Sequence, residues 1–117
     1  MSNVTILHNP RCSKSRQTLE LLTNAQHSPE VVEYLKTPLT GEQLTELKNK
    51  LGLSSFIEMM RVKEPEFKEA GLSKSDSTEQ QLQDAMVNFP KLMERPIVIT
   101  SKAARIGRPP ESVLELF

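Results

Sequence analysis

The chain has 117 residues, 15 basic and 15 acidic, with one cysteine and two histidines. That length suits one domain whose core needs no metal or disulfide staple, and a lone cysteine excludes an internal disulfide. A net charge of zero argues against nucleic acid or an anionic membrane as a bulk electrostatic partner.

Val4 to Leu7 is a short apolar run that reads as a buried central strand. It feeds the polar turn His8-Asn9-Pro10-Arg11-Cys12-Ser13-Lys14. An amphipathic helix follows over Ser15 to Ala25, with Thr18, Leu19, Leu22 and Ala25 on its inner face, ending before Ser28-Pro29. Val31 to Leu35 can form a second strand, completing a βαβ unit with a right-handed crossover if the strands are parallel.

After Pro38 the pattern becomes helical. Thr40 and Gln43 have capping-box spacing ahead of Leu44, Leu47 and Leu51, and Gly52 is the stop. Ser55 and Glu58 repeat the box before Phe56, Met59 and Met60. Pro65 and Gly71 bracket a third segment. Ser77 and Gln80 open a fourth, with Leu82, Ala85, Met86 and Phe89 at helical spacing. The turn-rich stretch from Ser73 to Thr78 is expected to be a mobile loop.

Strand character returns over Ile97 to Thr100 and Ala103 to Ile106, and the tight Ser101-Lys102 connection predicts an antiparallel hairpin. Pro110 then opens a closing helix with Val113, Leu114 and Phe117 facing inward. The order βαβ, helices, ββα describes an α/β protein with a mixed sheet covered by helices. No repeat, low-complexity segment or linker interrupts it.

The chemistry concentrates at Cys12, which this reading places in a strand-to-helix turn. Unpaired N–H groups and the dipole at a helix start favour negative charge, and Arg11, Lys14 and Arg16 stand nearby in sequence. A thiol there ionises easily, and the same turn can cradle an oxyanion beside it. The competing reading is a buried structural cysteine, which the polar, basic neighbours oppose.

Arg61, Arg95 and Arg108 each stand where an element ends. Taken singly, such arginines are more often surface ion pairs than ligands. Three at such junctions, beside an anion-ready turn, point to a convergent oxyanion site, because the planar guanidinium binds such groups bidentately. Met59, Met60, Met86 and Phe89 read as core. His27 lies in a polar turn and receives no role. Metal binding is not expected from one cysteine and two histidines at unrelated spacings.

The stretch His8-Asn9-Pro10-Arg11-Cys12-Ser13-Lys14-Ser15-Arg16, followed in order by Tyr34-Leu35-Lys36-Thr37-Pro38, Arg61-Val62-Lys63-Glu64, Glu94-Arg95-Pro96-Ile97-Val98 and Ala104-Arg105-Ile106-Gly107-Arg108-Pro109-Pro110-Glu111, resembles the glutaredoxin-dependent arsenate reductase family, ArsC-like members of the thioredoxin-like superfamily. The similarity runs from about Val4 to Phe117. It implies a thioredoxin-like fold, a mixed four-stranded sheet with a helical insert between the βαβ and ββα parts, in a single domain over residues 1–117. It also implies that Cys12 attacks arsenate, that His8 lies near this nucleophile, and that Ser15 hydrogen-bonds its thiolate. Arg61, Arg95 and Arg108 correspond to the family's anion-binding arginines, and Pro96 to its cis-proline.

Reducing arsenate takes two electrons, and one thiol supplies half of a disulfide, so a second thiol must come from outside. The resemblance implies glutathione as co-substrate and glutaredoxin as partner, with no bound cofactor. No apolar run reaches the roughly 18 residues of a membrane span, and no signal-peptide pattern opens the chain, so a cytoplasmic monomer is expected. Two alternatives stay open. One is a glutathione-linked thiol oxidoreductase with another substrate. The other is a thioredoxin-like regulator that binds RNA polymerase, although Cys12-Ser13-Lys14-Ser15 lacks the second cysteine of a disulfide switch.

Overall fold

Strand β1 (Thr5–Leu7) is paired on both sides, parallel to β2 (Glu30–Val32) and antiparallel to β3 (Ile97–Ile99). Strand β4 (Ala104–Ile106) adds antiparallel to β3, giving one mixed sheet of order β2-β1-β3-β4. These strands come from a computed structural model that describes residues 4–73 and 76–117. Contacts group the chain into two compact units: the chain up to Thr37 together with Arg95–Phe117, and Pro38–Glu94.

In the first unit, helix α1 (Ser13–Asn24) crosses from β1 to β2 and buries Ser15, Thr18 and Leu22. Val4, Ile6, Leu22, Val98 and Val113 form its core, with Leu19 and Leu116 packed against them. Each such side chain, fully buried, contributes about 1.5–3 kcal/mol. The expected hairpin forms, and the Thr100 N–H donates to the Ala103 carbonyl across its turn. Strand β2 is shorter than expected and lies at the sheet edge. Val31 and Leu35 are 46% and 43% exposed, while Glu33 accepts the N–H groups of Lys36 and Thr37 in a turn that ends the strand.

The closing segment Pro110–Leu116 is a 3-10 helix. Its three-residue period aligns Pro110, Val113 and Leu116 on the inner face. The expectation that Leu114 and Phe117 face inward assumed a period of 3.6 and is corrected: they are 38% and 47% exposed. Phe117 stacks on His27 with ring centroids 3.8 Å apart. Ala25 is likewise exposed, because α1 ends one residue before it.

The second unit is helical: α2 (Gly41–Leu51), a 3-10 turn over Phe56–Met59, α3 (Pro65–Glu69), α4 (Glu79–Asn88) and a 3-10 turn over Pro90–Leu92. The capping boxes at Thr40–Gln43 and Ser55–Glu58 form as expected. The fourth helix starts one residue later than expected, because Thr78 and Gln81 make its box. The Ser77 hydroxyl is occupied elsewhere, accepting the Ser73 N–H at 2.8 Å. Of the stretch expected to be a mobile loop, Lys74 and Ser75 lie outside the described residues. Glu79 joins elements of this unit by accepting from Ser55, the Phe56 N–H and Lys48.

This order of strands, with α1 between β1 and β2 and the helices inserted before β3, is the thioredoxin-like arrangement that the resemblance implies.

Candidate active site

Cys12 is the N-cap residue of α1, in extended conformation at φ −95° and ψ 124°. Its N–H donates to the Asn9 carbonyl and its own carbonyl accepts the Arg16 N–H, both at 3.0 Å. Around it the turn is closed by polar contacts. The Arg11 N–H donates to Asn9 Oδ1 at 3.0 Å, the Asn9 N–H to Ser15 Oγ at 3.0 Å, and Arg16 Nη1 to the Pro10 carbonyl at 2.9 Å. A β-strand feeding a helix through so short a turn leaves the helix's first N–H groups directed at the N-cap side chain.

The Cys12 side chain makes no capping hydrogen bond. Burial pushes its pKa up, but the Ser15 amide, the charge of Arg95, the Lys14 amide and a hydrogen bond from the Arg95 side chain together bring it below the ordinary thiol value. The sequence pointed to Arg11, Lys14 and Arg16 as the source of charge, and the guanidinium that acts on the sulfur is Arg95. The three sequence neighbours are exposed, and Arg16 is tied to the Pro10 carbonyl.

His8 and Ser15 meet beneath the turn. Ser15 is fully buried, His8 is 7% exposed, and Ser15 Oγ lies 2.6 Å from His8 Nδ1. Burial lowers the His8 pKa, Glu33 opposes that shift, and Arg16 adds to it. The Ser15 group that favours the Cys12 thiolate is its backbone N–H, while its hydroxyl serves His8 and Asn9.

Arg95 precedes β3, and the Arg95–Pro96 peptide is cis, as is Arg108–Pro109. Arg95 Nε and Nη1 are buried with no hydrogen-bond partner among the described residues. Its carbonyl accepts Arg108 Nε at 3.0 Å, and the Pro96 carbonyl accepts the Gly107 N–H at 2.8 Å. Gly107 is required by close approach: a Cβ there would meet Thr18 Oγ1 at 2.7 Å and Pro96 Cγ at 2.8 Å. This contact seats the segment carrying Arg95 against α1.

His8, Cys12, Ser15, Arg95, Pro96 and Arg108 thus belong to the first unit. Arg61 belongs to the second, where Nη1 pairs with Glu64 Oε1 at 2.6 Å and its N–H donates to the Leu92 carbonyl. Sequence reasoning missed Asn9, Thr18 and Gly107 as site-building residues. The spacing of Thr18 four residues after Lys14 was a usable signal, because a threonine there can hydrogen-bond back to the carbonyl one turn earlier. Among the described residues, no group of three or more His, Cys, Asp or Glu side chains could hold a metal ion.

A half-buried guanidinium, two of whose nitrogens have no hydrogen-bond partner among the described residues, beside an easily ionised thiol is an arrangement that can bind an oxyanion and attack it. The model of the ArsC family matches residues 7–116. Over 113 residues the chain is 55% identical to Escherichia coli (strain K12) YfgD, described as uncharacterized, covering 97% of this chain and 95% of that one. It is 45% identical to an arsenate reductase of Neisseria meningitidis serogroup A, covering 97% of both chains. The solved structure of an arsenate reductase from Vibrio cholerae superposes with a TM-score of 0.95 at 48% identity, covering 99% of this chain and 98% of that one. The match of fold, turn and sequence over nearly the whole length leads to one conclusion: this chain belongs to the ArsC family.

Proposed function

We propose that the protein is an arsenate reductase in which Cys12 is the nucleophile, glutathione the second thiol and glutaredoxin the partner that regenerates it. The observation that carries this reading is Arg95, whose buried Nε and Nη1 have no partner among the described residues while the same guanidinium favours the Cys12 thiolate. Desolvated donors already in place beside a nucleophile suit a substrate that is itself an oxyanion.

In the proposed reaction the thiolate attacks arsenic(V), a sulfur–arsenic bond forms, and an arsenic–oxygen bond breaks, its oxygen leaving as water after protonation. Arg95 and the first amides of α1 carry the charge on the remaining oxygens. Arg108 joins them, and Arg61 is included on the resemblance alone. Glutathione then adds, arsenic takes two electrons and leaves as arsenite, and the two sulfurs end as one mixed disulfide. Glutaredoxin reduces that disulfide and restores Cys12. His8 and Ser15 support the turn that presents the sulfur, and Pro96 orders the segment bearing Arg95.

Such thiol chemistry belongs in a reducing compartment, and the cytoplasm is the proposed location. No helix among the described residues is long and apolar enough to cross a membrane. A coupled assay with arsenate, glutathione and glutaredoxin tests the reading. Arsenite should form with the unaltered protein and not with Cys12→Ser. Turnover should also stop when external thiol is withheld, and sustained turnover without it would sink the mechanism.

A further inference from the structure

Thr18 is fully buried, and its hydroxyl donates to the Lys14 carbonyl at 2.8 Å. That carbonyl and the Ser15 N–H are the two ends of a single planar peptide group. The Ser15 N–H is in turn the leading group that favours the Cys12 thiolate. Within a regular α-helix the Lys14 carbonyl already accepts the N–H four residues on, so the hydroxyl supplies a second bond to it. A peptide group polarised at its oxygen is a stronger donor at its nitrogen, because linked hydrogen bonds reinforce one another.

The surroundings keep that hydroxyl in place. Gly107 brings bare backbone against it, with no room for a Cβ, so water has no access to Oγ1. The other titratable or charged groups at the turn are Arg95, which acts on the sulfur, His8, which bonds Ser15 Oγ, Glu33, which acts on His8, Arg16, which is held by the Pro10 carbonyl, and the exposed Arg11 and Lys14. The Thr18 hydroxyl donates to the Lys14 carbonyl and to none of these side chains.

We propose that Thr18 is a positioning residue for the Cys12 nucleophile, its buried hydroxyl fixing and polarising the Lys14–Ser15 peptide group whose N–H, on the third residue of α1, is one of the amides that an N-cap side chain faces. The inference rests on the reading of Cys12 as an activated thiolate. It assigns a function to a side chain that otherwise reads as part of the inner face of α1.

The test compares Thr18→Val, which keeps the shape without the hydroxyl, Thr18→Ala, which lacks it without adding bulk, and Thr18→Ser, which retains it. Thiolate absorbance against pH is the first readout. The expected result is a Cys12 titration raised by roughly 0.1–0.7 pH unit in the valine and alanine variants, the size of a 10–30% weakening of one charge-assisted hydrogen bond. Thr18→Ser should stay with the unaltered protein. The Ser15 amide-proton resonance should move less on thiolate formation in the valine variant. Melting temperatures separate this role from a merely structural one, which lowers stability and leaves the titration unmoved. That outcome, or a serine variant that shifts as far as valine, overturns the inference. An unaltered protein titrating near 8.5 overturns the reading of Cys12 and the inference with it.

Discussion

Ser15 Oγ lies 2.6 Å from His8 Nδ1, and both side chains are buried at the base of the turn that carries Cys12. The same oxygen accepts the Asn9 N–H, so one hydroxyl ties the end of β1 to the first turn of α1. Removing it strands a buried imidazole nitrogen and a backbone N–H. Ser15→Ala should therefore cost about 1–3 kcal/mol, read from urea unfolding. A loss below about 0.5 kcal/mol would show that water replaces the hydroxyl.

His8 makes stability depend on pH. Its folded pKa is lowered, chiefly by burial, so the unfolded chain binds a proton more readily near neutrality. The contribution is fully present above the unfolded value of about 6.5 and is lost as pH falls through the folded value. Replacing His8 with Gln should flatten that part of the melting-temperature profile. A profile of unchanged slope in the variant would assign the loss to other groups.

Cys12 should titrate below the ordinary thiol value of about 8.5, and Arg95→Ala should raise it, since the guanidinium both charges the site and hydrogen-bonds the sulfur. Alkylation rate against pH measures both. Identical profiles for the two proteins would remove Arg95 from the activation of the thiol.

Arginines differ sharply by position. Arg105 pairs with Glu115 at 3.4 Å, with side chains 41% and 68% exposed, and Arg105→Ala should change activity little. Arg95→Ala should reduce arsenate turnover by the equivalent of about 2–4 kcal/mol. Equal, small effects at both positions would make Arg95 a structural charge.

Gly107→Ala should destabilise the protein by about 1–3 kcal/mol through overpacking. The added methyl meets Thr18 Oγ1 and Pro96 Cγ, and Pro96 is ring-bound and cannot swing away. The melting temperature checks this, and an unchanged value would mean that β4 and the closing segment shift freely.

The sequence alone determined the order of elements, the strand-to-helix turn at Cys12 and two of the three capping boxes in the helical insert, because local periodicity and cap chemistry decide those. The third box slipped by one residue: Ser77–Gln80 and Thr78–Gln81 fit the same pattern, and in the folded chain the Ser77 hydroxyl accepts the Ser73 N–H while Thr78 and Gln81 make the box. The inner face of the closing segment was misread for a related reason, since 3-10 and α periods differ by little over seven residues. Tertiary structure alone decided which charge meets the sulfur. Arg11, Lys14 and Arg16 are neighbours along the chain, but the antiparallel pairing of β1 with β3 brings Arg95 to the turn from more than eighty residues away. It also turned Thr18 and Gly107 from a core position and a loop glycine into one contact, because close approach between segments is a property of packing and leaves no periodic mark in the sequence.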